Sequence, residues 1–135
     1  MLKDKHYLYV EDDPQSRTVM KLIMGSVIGT PNLTMFEESS DFLARLEGLP
    51  HKPDLILLDI HIKPHSGFEM LQFIRNHPEY QGCYVIALTA SVMNEEVQQL
   101  KACGFDGAIA KPLNARLLPE LLTQVLNGQS VWHIA

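Results

Sequence analysis

Pro53-Asp54-Leu55-Ile56-Leu57-Leu58-Asp59 holds a run of large apolar residues that stops abruptly at a carboxylate. A short apolar run without alternation reads as a strand buried on both faces, the kind found in parallel sheets. In open α/β sheets the residues that end such strands face the crevice where ligands are held. The pattern recurs elsewhere. Tyr7-Leu8-Tyr9-Val10 runs into Glu11-Asp12-Asp13, Val85-Ile86-Ala87-Leu88 into Thr89, and Ala108-Ile109-Ala110 into Lys111. Carboxylates, a hydroxyl and an ammonium are thereby expected to converge at one edge of one sheet.

Between these runs the apolar residues take a helical period. Pro14 to Ser26 is expected to be a helix, with Asp13 as its N-cap, Pro14 at its first position, and Val19, Ile23 and Val27 on one stripe. Leu33 to Phe36 reads as a short second strand. A helix presenting Phe42, Leu43 and Leu46 should follow, capped by Ser39 or Ser40 and stopping near Gly48 and Pro50. Phe68 to Asn76 turns Leu71 and Ile74 inward and ends at His77-Pro78, while Asn94 to Ala102 is more polar and closes at Gly104. Asn114 to Leu126 carries the strongest stripe, Leu117, Leu118, Leu121, Leu122 and Val125. Alternation of strand and helix predicts an α/β fold: a doubly wound, parallel, five-stranded sheet of order 2-1-3-4-5, with helices on both faces. Glu11, Asp12 and Asp59 then flank the point where the winding reverses. Residues 1–127 are expected to form the domain and 128–135 a C-terminal tail, with Trp132 and Ile134 as a packed or partner-facing end.

The chain has 135 residues, the size of one ordinary domain. Its 11 basic and 16 acidic residues leave a net charge of −5, with no basic cluster of the kind nucleic acid requires. A protein partner is the better expectation. Cys83 and Cys103 have no metal-type spacing and read as reduced thiols. No stretch approaches the roughly 18 apolar residues of a membrane span, so a cytoplasmic protein without membrane contact is expected. His61 and His65 read as exposed loop histidines, and Met20, Met24, Met70 and the Phe residues as core.

Carboxylates crowded at Glu11, Asp12 and Asp59 repel one another and must either protonate or hold a cation. Hard oxygen ligands with open positions suit Mg²⁺, which is commonly completed by water and substrate phosphate. With Lys111 as a second positive charge and Thr89 as a hydroxyl donor, such a crevice suits phosphoryl transfer, and one carboxylate can act as the nucleophile.

From about His6 to Leu126 the chain resembles the receiver domain of bacterial response regulators, whose sheet has the flavodoxin-like order. The matching motifs are Tyr9-Val10-Glu11-Asp12-Asp13-Pro14, Pro53 to Asp59 with Gly67-Phe68-Glu69, Ala87-Leu88-Thr89-Ala90, Gly104-Phe105-Asp106-Gly107 and Lys111-Pro112. The resemblance implies Asp59 as phosphoacceptor, with Glu11, Asp12, Asp59 and the His61 backbone carbonyl holding Mg²⁺. It further implies that Thr89 binds a phosphoryl oxygen, that Lys111 pairs with it, and that the Lys111-Pro112 bond is cis. His61 and Ser91 are expected at the mouth of the site. Two positions depart from the family pattern. Lys63 stands where receivers usually have proline, with Pro64 one place on, and Ala108 replaces the aromatic usually found three residues before the lysine.

As a stand-alone receiver the chain would be no enzyme beyond its own phosphorylation and dephosphorylation. Its partners would be a sensor histidine kinase or phosphotransfer protein and a downstream protein effector, with a homodimer left open. A phosphatase of the haloacid dehalogenase type also uses a strand-end Asp, a Thr and a Lys, but needs a second Asp where His61 stands. A flavodoxin is disfavoured because Glu11-Asp12-Asp13 would repel a flavin phosphate. A receiver fold that is never phosphorylated is the remaining alternative.

Overall fold

The computed structural model describes residues 2–90 and 93–133. Its strands are Tyr7–Val10 (β1), Leu33–Phe36 (β2), Leu55–Asp59 (β3), Tyr84–Thr89 (β4), Gly107–Ala110 (β5) and Val131–His133 (β6). The α-helices are Pro14–Leu22 (α1), Phe42–Glu47 (α2), Gly67–Arg75 (α3), Asn94–Cys103 (α4) and Leu118–Leu126 (α5). All strand pairs are parallel and the order is β2-β1-β3-β4-β5-β6. The reversal of winding falls between β1 and β3, as expected from the chain.

Alternation along each strand divides the core into two layers. Leu8, Val10, Ile56, Leu58, Val85, Ala87 and Ala108 pack with Phe42 and Leu46 of α2, Met70, Leu71 and Ile74 of α3, and Leu100 of α4. Tyr7, Tyr9, Leu55, Leu57, Ile86, Leu88 and Ile109 pack with Met20 of α1, the following Ile23 and Met24, and Leu118, Leu122 and Val125 of α5. Burial on both faces explains why these strands show no polar alternation in sequence.

Among the described residues the sheet has six strands where five were expected. The sixth comes from the tail, which runs parallel to β5 with Gly107 opposite Val131, Ala108 opposite Trp132 and Ile109 opposite His133. Three residues are too few to show a period in sequence. The permissive feature is Gly107, at which a Cβ would collide with the Val131 carbonyl oxygen.

Several helix details also differ from expectation. α1 passes at Ile23 into a π-helical turn, Ile23–Ile28, closed by Gly29 at φ 79°. The inner stripe is Met20, Ile23 and Met24, whereas Val19 and Val27 are 41% and 53% exposed. Both stripes have helical spacing, and a shift of one residue rotates the buried face by roughly 100°. α2 is preceded by Asp41 in the left-handed region at φ 50°, not capped by Ser39 or Ser40. Ser39 is instead buried, with Oγ donating to the His65 carbonyl and accepting from the His65 N–H, each at 2.7 Å. α3 begins one residue earlier than expected, under a capping box formed by Ser66 and Glu69. α5 starts at Leu118 because Pro119 fits only a first turn, and the Asn114 side chain orders the preceding turn by accepting from the Arg116 and Leu117 N–H groups. Among the described residues no helix is long and apolar enough to cross a membrane.

Candidate functional site

Asp59 ends β3 in the middle of the sheet and is buried, 6% exposed, although it is a carboxylate. Glu11 follows β1, the neighbouring strand, and is fully buried, while Asp12 beside it is exposed. One carboxylate oxygen from each of Glu11, Asp12 and Asp59 lies within 4.8 Å of the others. Parallel pairing of β1 with β3 produces this convergence, since Val10 lies opposite Leu58 and both chains leave the sheet together.

Lys111, which follows β5, reaches across to these acids. Its Nζ is 2.6 Å from Glu11 Oε1 and 3.5 Å from Asp59 Oδ1. Burial works against the ammonium, but the hydrogen bond to Glu11 and the charges of Asp59 and Glu11 outweigh it and hold its pKa above the usual lysine value. The Lys111-Pro112 peptide is cis, as the resemblance implies, and so is Lys63-Pro64 in the loop after Asp59. The His61 N–H donates to Asp59 Oδ1 at 3.2 Å, while the His61 side chain is largely exposed.

Gly67 positions the start of α3 against the loop after Asp59. Its N–H donates to the Ile60 carbonyl, and a Cβ there would come within 2.9 Å of Ile60 Cα and 3.0 Å of the Asp59 carbonyl oxygen. Asp13 caps α1, accepting from the Ser16 hydroxyl and the Ser16 N–H, and these bonds lower its carboxyl pKa. It is held by its cap role, as expected of this position.

Thr89 ends β4 and is completely buried. Its hydroxyl donates to Glu96 Oε1 of α4 at 2.9 Å, and the same carboxylate oxygen lies 3.6 Å from His61 Nε2. Ser91, expected at the mouth of the site, lies outside the described residues. Two participants escaped the sequence reading. Tyr9, hidden in an apolar strand run, donates from its hydroxyl to Glu11 Oε1 at 2.8 Å. Its two-residue spacing from Glu11, which places both on one strand face, is the signal that could have found it. Glu96 has no such signal, because only the packing of α4 against the strand ends brings it to Thr89.

The donor set fits a hard divalent cation: three carboxylates from two adjacent strand ends, with no thiol or imidazole among them. Such a fold and site define a parallel α/β domain with an acidic, cation-binding type of crevice at its switch point, and the sequence family agrees. Residues 7–123 match the family model of the response regulator receiver domain, and the chain belongs to that family.

Similar proteins are consistent with this. The chain is 32% identical over 76 residues to the polar-differentiation response regulator DivK of Brucella anthropi, covering 56% of this chain and 62% of that protein. The matched region is thus less than two thirds of the length of that relative. In fold it is similar to the chemotaxis response regulator CheY4 of Vibrio cholerae, with a TM-score of 0.78, 24% identity, and coverage of 90% of this chain and 98% of that one. The receiver domain of the sensor histidine kinase PA1611 of Pseudomonas aeruginosa, solved with a magnesium ion in its active site cleft, gives a TM-score of 0.78 at 23% identity, covering 91% and 98%.

Proposed function

We propose that the chain is a response-regulator receiver that accepts a phosphoryl group on Asp59 and signals by phosphorylation-dependent protein binding. The observation that carries this reading is the placement of a buried strand-end carboxylate, Asp59, 3.5 Å from the Lys111 ammonium and beside the Glu11 and Asp12 oxygens. Positive charge beside an otherwise anionic nest is what a phosphoryl group needs in order to enter it.

In this reading residues 1–127 form the receiver unit and 128–135 its tail. Glu11, Asp12, Asp59 and the His61 carbonyl would hold Mg²⁺, a reading supported by the magnesium ion in the active site cleft of the PA1611 receiver, and the ion would neutralise charge on the phosphoryl oxygens. An Asp59 carboxylate oxygen attacks phosphorus as the bond to the donor breaks. With a phosphohistidine donor the leaving group is the imidazole nitrogen of a histidine kinase or phosphotransfer protein; with acetyl phosphate it is acetate. Lys111 pairs with a phosphoryl oxygen, and the Thr89 hydroxyl donates to another. Hydrolysis by water returns the Asp59 carboxylate and inorganic phosphate, so the chain turns over only its own modification. The protein is assigned to the cytoplasm with no nucleic-acid partner; homodimerisation stays open to test.

Ala108 is buried in the layer under α4 and is too small to swing or to report a change at the surface. The response therefore runs through the loop after Thr89 and through α4. The test is incubation with Mg²⁺ and acetyl phosphate followed by intact mass. The expected result is one phosphoryl adduct, labile to hydroxylamine and absent from Asp59→Asn. An adduct that survives this substitution would overturn the assignment.

A further inference from the structure

Glu96 stands where a phosphoryl group would have to compete with it. Its Oε1 accepts the Thr89 hydroxyl at 2.9 Å, and the Glu96 side chain is only 19% exposed. The hydroxyl that is to bind the phosphoryl group is thus already engaged by a carboxylate of α4, in a bond of the stronger, charge-assisted kind. The adjacent His61 Nε2, 3.6 Å from the same oxygen, places Glu96 between the loop after β3 and the end of β4. Resting on the phosphoacceptor reading above, we propose that Glu96 is a positioning residue that acts through Thr89, holding α4 on the site until a phosphoryl group takes the hydroxyl.

The energetics are those of a competition. A phosphoryl oxygen must displace Glu96 as acceptor, so phosphoryl binding is weakened by the strength of the bond it replaces. Once displaced, Glu96 has lost its donor and faces added negative charge, and both effects drive the first turn of α4 outward. Glu96 belongs to the helix itself, two residues after Asn94, so its displacement is carried directly into α4. No swinging aromatic is needed, which matches a chain with Ala108 on β5. The cost of phosphate entry and the movement of the output helix then have a single source.

The test is titration with beryllofluoride in Mg²⁺, followed by calorimetry, on four proteins: wild type, Glu96→Gln, Thr89→Ala, and the double variant. Glu96→Gln keeps the side-chain shape but weakens the acceptor. It should bind the mimic about tenfold more tightly than wild type, the scale of one charge-assisted hydrogen bond. In the Thr89→Ala background most of that gain should vanish, because there is no hydroxyl left to compete for. If Thr89→Ala binds too weakly to titrate, the same ratio is read from acetyl phosphate adducts by intact mass. An unchanged affinity in Glu96→Gln would overturn the proposal, and so would an equal gain in both backgrounds, which would mark a general charge effect. A wild type that binds no mimic at all would overturn the phosphoacceptor reading itself, and this inference with it.

Discussion

Tyr9 and Glu11 lie two residues apart on β1 and its extension, and the Tyr9 hydroxyl donates to Glu11 Oε1 at 2.8 Å, the same oxygen that Lys111 Nζ reaches at 2.6 Å. The second oxygen, Oε2, accepts from the Asp13 N–H at 3.3 Å. A fully buried carboxylate is thereby surrounded by donors from the strand below, the strand-end loop and the far side of the sheet. Tyr9→Phe removes one of them while keeping the ring. The expected loss is about 1–3 kcal/mol of unfolding free energy, the cost of a hydrogen bond to a charged group. Urea unfolding with an unchanged slope checks it; a midpoint equal to that of the wild type would contradict it.

Alkaline pH should act on the same residues. Burial, with the Asp54 charge adding to it, pushes the Tyr7 phenol up to about 12. Burial and the neighbouring Glu11 raise Tyr9 as well. A group whose folded pKa is raised contributes stability that is complete below its unfolded value and is lost as pH rises toward the folded one. For these tyrosines the loss begins above about pH 10, and the raised Lys111 works in the same direction. Tyrosinate absorbance should therefore rise in two stages, the later one coinciding with loss of circular dichroism. Complete ionisation near pH 10 with the fold intact would refute this.

The sixth strand depends on Gly107. A methyl group there would collide with the Val131 carbonyl and press on Ile86 Cδ1 at 3.1 Å, so Gly107→Ala should detach β6 or strain β5. An expected cost is about 1–3 kcal/mol, the range of overpacking. Trp132 is the chain's one tryptophan; it packs beside the core layer that lies under α2, α3 and α4, with Lys101 Nζ 5.2 Å from its ring centroid. Its fluorescence should shift to the red in Gly107→Ala. An unshifted spectrum would show that the tail keeps its place without the glycine.

Asp12 should matter for metal and little for stability, since it is the exposed member of the acidic set. Asp12→Ala is expected to weaken Mg²⁺ binding by about tenfold or more and to slow phosphorylation by acetyl phosphate, while removing some carboxylate repulsion. Titration of Mg²⁺ and thermal unfolding separate the two effects. Equal Mg²⁺ affinity in both proteins would remove Asp12 from the metal set.

The sequence by itself determined the strand ends. Apolar runs such as Leu55 to Leu58, short and bounded by Pro53 and Asp59, read as buried strands of a covered parallel sheet, and chain order then brings Glu11, Asp12, Asp59 and Lys111 to one edge. Burial pattern and chain connectivity are properties of the linear sequence, so this much was legible without coordinates. What the linear pattern could not contain is every relation that depends on rotation or on distant pairing. The one-residue phase of α1, which buries Met20 rather than Val19, follows from how the helix seats on the sheet. The strand at Val131–His133 lies against Gly107, more than twenty residues earlier, whose missing side chain leaves room for that neighbour. The Thr89 to Glu96 bond likewise depends on where α4 packs, since seven residues of separation specify no distance between the two side chains. Local period and composition are short-range quantities, and only tertiary packing sets which face turns inward and which distant groups meet.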